Sequence, residues 1–430
     1  MILGRLLTVS LIFTIFNVFA NDFHPNHLIV KFKTNNHQID SKLIQNKKHL
    51  YGNVYLLITK DTDQLINSLD KSQFDFIEKD TVTSKNKLPE ATPARQSFQQ
   101  MSSMFNDPMT SSQWLLADGS SNGISQESAY RNRRGGEQQD IIVAVVDTGV
   151  DYNHEDLKDV MWTNTREIAG NGIDDDNNGY IDDIHGISTL KRDENGNATG
   201  DITPVHSHGT HVSGIIAAKQ NNNIGIAGVS NHVRIMGIQS VPANGDEIDS
   251  DVIESFIYAA KNGARIINCS FGKSKMGTEK AVSDAIDFIS KTYGVLVIAS
   301  AGNDSRNIDQ SRNFKYPANL QNESLLVVAS STQRGRLSYF SNYGLTNVDL
   351  AAPGSNIYST VPGNKYANMS GTSMSSPVVS GVAAEVLSAN PGLNAIELKD
   401  RLMNTVTEKQ SWRSKMQAPG IINLDTSLNN

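Results

Sequence analysis

The sequence predicts an α/β protein with a doubly wound, mostly parallel sheet flanked by helices, preceded by a small α+β unit. Continuous apolar runs at residues 141–149, 265–272 and 294–303 are typical of parallel strands that are buried on both faces. Helical segments of small residues follow tight turns at residues 208–218 and 378–387. A chain of 430 residues is long enough for two or three units.

Residues 1–20 have the pattern of a secretory signal peptide. A single Arg5 precedes an apolar run at 6–19, and Ala20 ends a small-x-small cleavage pattern. The alternative is an uncleaved anchor, but the run is short, and no later stretch reaches the ~18 apolar residues of a spanning helix. We therefore expect a secreted protein, extracellular or periplasmic, with no membrane anchor after cleavage.

Residues 21–90 form the predicted α+β unit. Strand patterns at 27–33, 53–59 and 74–80 are joined by a short amphipathic helix at 63–70. On sequence alone this unit could be any small binding module. Residues 82–105, which contain many Ser, Gln, Thr and Lys residues, have the composition of a linker.

Charge and cysteine content exclude some classes of protein. The net charge of -7 and the absence of a basic stripe argue against nucleic-acid binding. Cys269 is the one cysteine in the sequence, so an intramolecular disulfide is impossible, and stability must come from packing, to which bound metal ions could add.

Ser373 lies in the turn 371–377, at the predicted start of a helix. Backbone N–H groups at a helix N-terminus lack partners within the helix and stabilise negative charge, so an oxyanion beside Ser373 would be stabilised. The alternative is that Ser373 only caps the helix. A serine nucleophile needs a base to take its proton.

The chain supplies a candidate base and a candidate residue to orient it. His208 stands at a second turn-to-helix junction, and Asp147 stands where the buried strand at 141–149 ends. Sites in open α/β sheets form at the carboxyl ends of strands, so Asp147 is well placed to orient an imidazole.

These three segments, in the order Asp, His, Ser, resemble those of the subtilisin-like serine proteases, and the resemblance covers roughly residues 106–425. It implies a monomeric serine endopeptidase that acts on proteins or peptides through an acyl-enzyme. In this family Ser373 would be the nucleophile, His208 the general base and then acid, and Asp147 the residue that orients the imidazole. Asn303 would donate a hydrogen bond to the oxyanion.

The resemblance also implies that residues 21–90 are a propeptide, which assists folding and inhibits the enzyme with its tail in the cleft. Maturation cleavage is then expected in the linker 91–105, ahead of a catalytic domain at 106–430. A large parallel sheet has many non-local contacts and folds slowly, which is a physical reason for a folding template.

Substrate-binding residues also follow from the resemblance. Ser270, Phe271 and Gly272 would pair with substrate backbone as an added strand. Ser300, Ala301 and Gly302 precede Asn303, and Lys315 would lie near the floor of the S1 pocket, which receives the side chain before the scissile bond. The hypothesis is that Lys315 favours an acidic side chain there; the alternative is that it points to solvent.

One or two structural calcium sites are expected, because oxygen-only ligand sets suit Ca²⁺. The first is implied by the resemblance, with ligands from Asp107, Asp156 and Asn222 and from backbone carbonyls near Gln220, Ile224 and Ile226. The second is an acidic loop that matches part of an EF-hand but lacks the glutamate at position 12, with ligands from Asp174, Asp176, Asn178, the carbonyl of Tyr180, and the carboxylate of Asp182 or Asp183. The alternatives are an Asn-rich turn and a solvated acidic turn.

Three further alternatives remain open. His206, His208 and His211 could together bind zinc. The chain could be a catalytically silent binding module, although none of the three triad residues is missing. It could also be an exported esterase, because the same triad cleaves esters.

Overall fold

A computed structural model describes residues 23–35, 39, 42–82, 87–93, 104–133, 138–274 and 280–429. The signal-peptide prediction and most of the predicted linker lie outside these residues. The strands are β1 Phe23–Phe32, β2 Ile44–Tyr51, β3 Val54–Thr59, β4 Phe74–Thr81, β5 Ile141–Asp147, β6 Gly186–Arg192, β7 Ala198–Thr199, β8 Val233–Gln239, β9 Ile266–Cys269, β10 Leu296–Ser300, β11 Leu325–Ser331, β12 Leu350–Pro353, β13 Ile357–Val361, β14 Lys365–Met369, β15 Thr407–Glu408 and β16 Gly420–Ile421. The α-helices are α1 Thr62–Ser68, α2 Gln126–Asn132, α3 His208–Ala217, α4 Asp249–Lys261, α5 Lys280–Tyr293, α6 Thr372–Ala389, α7 Ala395–Asn404 and α8 Leu424–Asn429.

The amino-terminal unit is an antiparallel sheet in the order β2-β3-β1-β4. Leu65 of α1 packs with Leu28, Val30 and Leu57 on one face of this sheet. The α+β prediction is confirmed, but strand β2 was not predicted. Four of the eight residues of β2 are exposed at the sheet edge, so the strand lacks the alternation of apolar and polar residues that reveals a strand.

The central sheet has ten strands in the described residues, in the order β15-β16-β12-β11-β10-β9-β5-β8-β6-β7. All neighbouring pairs are parallel except the two outermost pairs, β15 with β16 and β6 with β7. The doubly wound, mostly parallel sheet is therefore confirmed. Strands β5, β9 and β10 are the predicted apolar runs.

Helices cover both faces of this sheet because β5 alternates its side chains between two cores. Val143 and Val145 pack with residues of α3 and α6, whereas Ala144 and Val146 pack with residues of α4 and α5. The amino-terminal unit adds Ile29 and other β-sheet residues to the second core. The carboxyl ends of β5 and β10 are left facing the N-termini of α3 and α6.

Within the described residues, none of the helices combines the length and the apolar character that crossing a bilayer requires.

Candidate active site

Asp147 and His208 lie together where the end of β5 contacts the start of α3. Asp147 is the last residue of β5, and His208 is the first residue of α3. His208 Nδ1 lies 2.8 Å from Asp147 Oδ1 and 3.0 Å from Oδ2, and both side chains are buried. A buried carboxylate at this position fixes the imidazole tautomer with the proton on Nδ1.

Gly209 permits this contact. A Cβ atom at residue 209 would lie 2.2 Å from Gly149 O and 3.2 Å from the Asp147 carboxylate. A side chain there would push the start of α3 away from the end of β5. The glycine after His208 is therefore a requirement of the site.

Ser373 is the second residue of α6, at the predicted helix N-terminus. Pro377 has no N–H to donate to Ser373 O, which instead accepts a hydrogen bond from Ser270 Oγ at 3.0 Å. This bond ties the backbone of Ser373 to the chain that follows β9. His208 Nε2 is buried and forms no hydrogen bond within the described residues, so it is not bonded to Ser373 Oγ in this structure.

Asn303 follows β10 and faces the start of α6. Its Oδ1 accepts hydrogen bonds from Thr372 N at 2.8 Å and Thr372 Oγ1 at 3.0 Å, which leaves Nδ2 on the opposite side of the amide. A Cβ atom at Gly371 would lie 3.5 Å from Asn303 Nδ2 and 3.6 Å from Ser373 N. The two donors therefore border the same small space, as an oxyanion site requires.

A cavity of about 340 Å³ opens beside Ser373, and part of the chain's own amino-terminal segment forms one of its walls. Its lining residues are Lys87, Leu88, Pro89, Val241, Gly245, Asp246, Glu247, Ser270, Phe271, Gly272, Ser300, Gly302, Asn303, Asp304, Lys315, Tyr316 and Ser373. Farther along, Thr92 forms a two-bond antiparallel bridge with Asn368 of β14, at 2.9 Å for each N–O pair. The segment from 87 to 93 thus crosses the site.

The predicted substrate-binding residues all line this cavity except one. Ala301 is fully buried, its N–H donates to Val328 O, and it does not line the cavity. The reason is the alternation of side chains at the end of a buried strand: Ser300 and Gly302 face the cavity, and Ala301 faces the core.

Lys315 lies in the cavity wall and does not point to solvent. Its Nζ is 2.8 Å from Asp304 Oδ2 and 2.8 Å from Ser274 Oγ. Burial disfavours the charged form of Asp304, but the hydrogen bond and charge of Lys315 outweigh burial and lower the pKa of this carboxyl. Asp304 was not among the predicted site residues, because nothing in the sequence pairs it with Lys315.

Comparison with known proteins places this site in a family. The model of the subtilase family matches residues 138–419, which is more than half of the chain. The chain belongs to the subtilase family.

Two relatives illustrate the range of similarity. The subtilase is 32% identical over 401 residues to subtilisin-like protease 1 of Plasmodium berghei, covering 88% of the chain and 63% of that protein. It is 38% identical over 263 residues to a thermophilic serine proteinase of Bacillus sp. strain AK1, covering 61% of the chain and 55% of that protein. The chain thus spans less than two thirds of the length of either relative.

A similarity of fold extends over both units. The crystal structure of fervidolysin from Fervidobacterium pennivorans superposes with a TM-score of 0.73 at 23% identity, covering 95% of this chain and 62% of that one. At this identity the match establishes the shared fold of the subtilase.

The first predicted cation site of the subtilase is partly assembled. Asp107 accepts hydrogen bonds from the N–H groups of Asn221 and Asn222, and Asp156 accepts from Asn222 Nδ2 and from the N–H of Ile226. Burial, and then the nearby Asp107 charge, raise the pKa of Asp156 to about 6, and burial also raises the pKa of Asp107. Two buried carboxylates without an ion pair among the described residues fit a cation.

Hydrogen bonds unite Asp107, Asp156 and Asn222. The Gln220 side chain donates to Tyr130 Oη and Gly228 O, and the N–H groups of Ile224 and Ile226 donate to Asn222 Oδ1 and Asp156 Oδ2. The predicted ligands near residues 220, 224 and 226 were backbone carbonyl oxygens, and their role stays a prediction.

The second acidic loop differs from its prediction. Asp174 and Asp176 lie with Glu167 in a group whose carboxylate oxygens are within 4.8 Å of one another. Glu167 was missed because the EF-hand template places its glutamate after the loop, whereas here the carboxylate comes from before it. An oxygen-only donor set of three carboxylates fits Ca²⁺.

Asp182 and Asp183, two of the other four residues predicted for this site, lie outside the Glu167 group. The ligand predicted at Tyr180 was its carbonyl oxygen, and that role and the role of Asn178 stay predictions. Asp182 accepts from the N–H groups of residues 170–172, and Asp183 accepts from Asn164, Asn178 and Tyr258. Asn178 Oδ1 accepts from the N–H of Tyr180, and Tyr180 Oη donates to Glu254. These bonds close the loop, and Glu167 joins it by accepting hydrogen bonds from the N–H groups of Asp176 and Asp182.

The three histidines do not form a metal group in the described part of the chain. His211 Nε2 lies 3.0 Å from Ile357 O and 3.1 Å from Ala367 O, and burial lowers the pKa of this imidazole to about 3. His206 Nδ1 accepts a hydrogen bond from the N–H of His208. The imidazoles of His206 and His211 thus form hydrogen bonds with the backbone beside the site.

Proposed function

We propose that this subtilase is a secreted serine endopeptidase, extracellular or periplasmic, that hydrolyses peptide bonds in proteins through an acyl-enzyme. The observation that carries the proposal is that the two ring nitrogens of His208 have different surroundings. Nδ1 is bound to the Asp147 carboxylate, and Nε2 is buried and forms no hydrogen bond with any described residue, so the imidazole has one nitrogen available to accept a proton.

In the proposed reaction His208 Nε2 takes the proton from Ser373 Oγ as that oxygen attacks the carbonyl carbon of the scissile bond. The carbonyl oxygen becomes an oxyanion that accepts hydrogen bonds from Asn303 Nδ2 and the Ser373 N–H. The imidazolium, stabilised by Asp147, gives its proton to the leaving amine. Water then repeats the sequence and releases the acyl group from Ser373.

The Nε2–Oγ hydrogen bond is absent in this structure, in which residues 87–89 of the chain's own amino-terminal unit line the cavity. Catalytic hydrogen bonds often tighten when substrate is bound, so the absence is compatible with the proposed roles.

The amino-terminal unit is proposed to be a propeptide that assists folding and blocks the site. Three observations support this: residues 87–89 line the cavity, Thr92 pairs with β14 beyond it, and Asp80 binds the start of α4. Because Pro89 lies near Gly371 and Thr92 pairs with Asn368, the chain between them passes close to the start of α6, and we expect maturation cleavage between Pro89 and Thr92. Mass spectrometry of the mature amino terminus tests this position; a terminus beyond Thr92 would contradict it.

Calcium is proposed to stabilise the fold. Glu167, Asp174 and Asp176 would hold one ion, and Asp107, Asp156 and Asn222 would contribute to another. A bound cation would offset the repulsion among these carboxylates. Calcium should raise the melting temperature of the S373A chain, and E167Q should reduce that rise, whereas E194Q in an exposed turn should not. Equal responses of all three chains would contradict the first site.

The central test uses a fluorophosphonate and a denatured protein substrate. The wild-type chain and S128A, a control on α2, should be labelled and should degrade the substrate. S373A should do neither and should accumulate as the uncut precursor. A folded wild-type chain that is neither labelled nor active would support a silent binding module, and one that cleaves esters but not protein would support an esterase.

A further inference from the structure

An ion pair forms part of the cavity wall beside the proposed nucleophile. Lys315 Nζ lies 2.8 Å from Asp304 Oδ2, and the side chains are 11% and 40% exposed, respectively. Ser274 Oγ accepts a second hydrogen bond from the same ammonium at 2.8 Å. The ammonium is therefore held by two partners in the wall, and the carboxylate remains partly open to the cavity.

The pair is adjacent to the reacting groups. Asp304 directly follows Asn303, and a Cβ atom at Gly302 would lie 3.6 Å from Lys315 Cδ. Gly302 in turn donates its N–H to Thr372 Oγ1, next to Ser373. The part of the cavity that the pair borders is therefore the part that would receive the side chain next to the scissile bond.

The charges of the pair cancel, and this affects which side chains can enter. A substrate carboxylate would have to compete with Asp304 for the ammonium and would lie close to the Asp304 charge. A substrate ammonium or guanidinium would have to compete with Lys315 for the Asp304 carboxylate and would lie close to the Lys315 charge. An uncharged side chain disturbs neither partner and is not opposed by an unpaired charge.

We infer that Asp304 is a specificity-determining residue, which neutralises Lys315 and makes the pocket select an uncharged side chain before the scissile bond. The inference rests on the proposed peptidase function. It replaces the simpler expectation that Lys315 selects acidic residues. It also predicts two opposite changes of substrate preference. Removal of the Asp304 charge should favour acidic side chains, and removal of the Lys315 charge should favour basic ones.

The test uses three peptidyl aminocoumarin amides that differ only in the residue before the cleaved bond: Gln, Glu or Lys. Rates are normalised to active sites titrated with a fluorophosphonate, so incomplete maturation does not affect the comparison. Wild type should prefer Gln. D304N should raise the Glu/Gln ratio of kcat/KM about tenfold, and K315M should raise the Lys/Gln ratio about tenfold. The D304N/K315M double variant should return both ratios to near the wild-type values.

Unchanged ratios in both single variants, with the Gln peptide still cleaved, would overturn the inference and leave the peptidase function intact. A wild-type preference for Glu would also overturn it. Loss of cleavage of all three peptides by wild type would instead contradict the proposed function. A double variant that is active with wild-type ratios, beside altered single variants, would support the inference and exclude general damage to the pocket.

Discussion

His208 and Asn303 are the two side chains whose orientation carries the proposed chemistry. Each has one polar end fixed by the fold, through Asp147 for the imidazole and through Thr372 for the amide. In each case the opposite nitrogen is left for the substrate. Preorganisation of this kind is effective because the donors need not reorient as charge develops.

At this scale the oxyanion role of Asn303 gives a measurable effect. N303A should lower kcat about 10²- to 10³-fold with a smaller change in KM, a range found for the loss of an oxyanion donor in a subtilisin. N195A, in an exposed turn, serves as the matched control and should retain wild-type kinetics. A loss confined to KM would indicate that Asn303 contributes to substrate binding alone.

The elements that carry the site were predictable because each has a strong local signal. The buried run of β5 ends at Asp147, and the small residues of α3 and α6 start next to His208 and Ser373. Strand β2 was not predictable, because its polar edge residues lack a periodic pattern. Glu167 and Asp304 were missed for a different reason, since their partners are brought to them by tertiary contacts.

Helix α3 also joins the site to the β13–β14 hairpin through His211, and this contact depends on pH. The neutral imidazole donates its Nε2 proton to backbone carbonyl oxygens, and burial lowers its pKa to about 3. In the unfolded chain the group takes up a proton near pH 6.5, so the unfolded state binds more protons below that pH. Stability should therefore fall as the pH falls from about 6.5 toward 3, by about 2 kcal/mol between pH 7 and pH 5.

Urea unfolding at pH 7 and pH 5 tests this contribution in the S373A background, where autolysis is prevented. H211F should be less stable than its parent at pH 7 and should lose about 2 kcal/mol less on acidification. H49Q removes an exposed histidine and should lose as much stability between pH 7 and pH 5 as the parent does. If the H211F chain lost as much stability as the parent, His211 would not be the group that titrates.

At the scale of the whole molecule, the amino-terminal unit supplies carboxylates to the helices of the large domain. Asp80 Oδ1 accepts from the Ser250 N–H at 3.0 Å at the start of α4, and Glu78 accepts from the Ala281 N–H at 2.9 Å at the start of α5. Both helices thus have a first-turn N–H satisfied by the other unit. Release of that unit would leave these groups to water.

Substitution of Asp80 measures the value of this docking. D80A in the S373A chain should lower the free energy of unfolding by roughly 1–2 kcal/mol, because a buried helix cap is lost. D75A, on an exposed position of β4, should change it by less than about 0.5 kcal/mol. Equal effects of the two substitutions in chemical denaturation would show that the cap contributes nothing specific.

A crystal structure of the matured chain inactivated by a fluorophosphonate tests the whole arrangement most directly. We predict a bond from Ser373 Oγ to phosphorus, with His208 Nε2 within about 2.6–3.2 Å of an oxygen on phosphorus. The phosphoryl oxygen should accept hydrogen bonds from Asn303 Nδ2 and the Ser373 N–H. An adduct on another residue, or an imidazole turned away from the adduct, would contradict the account.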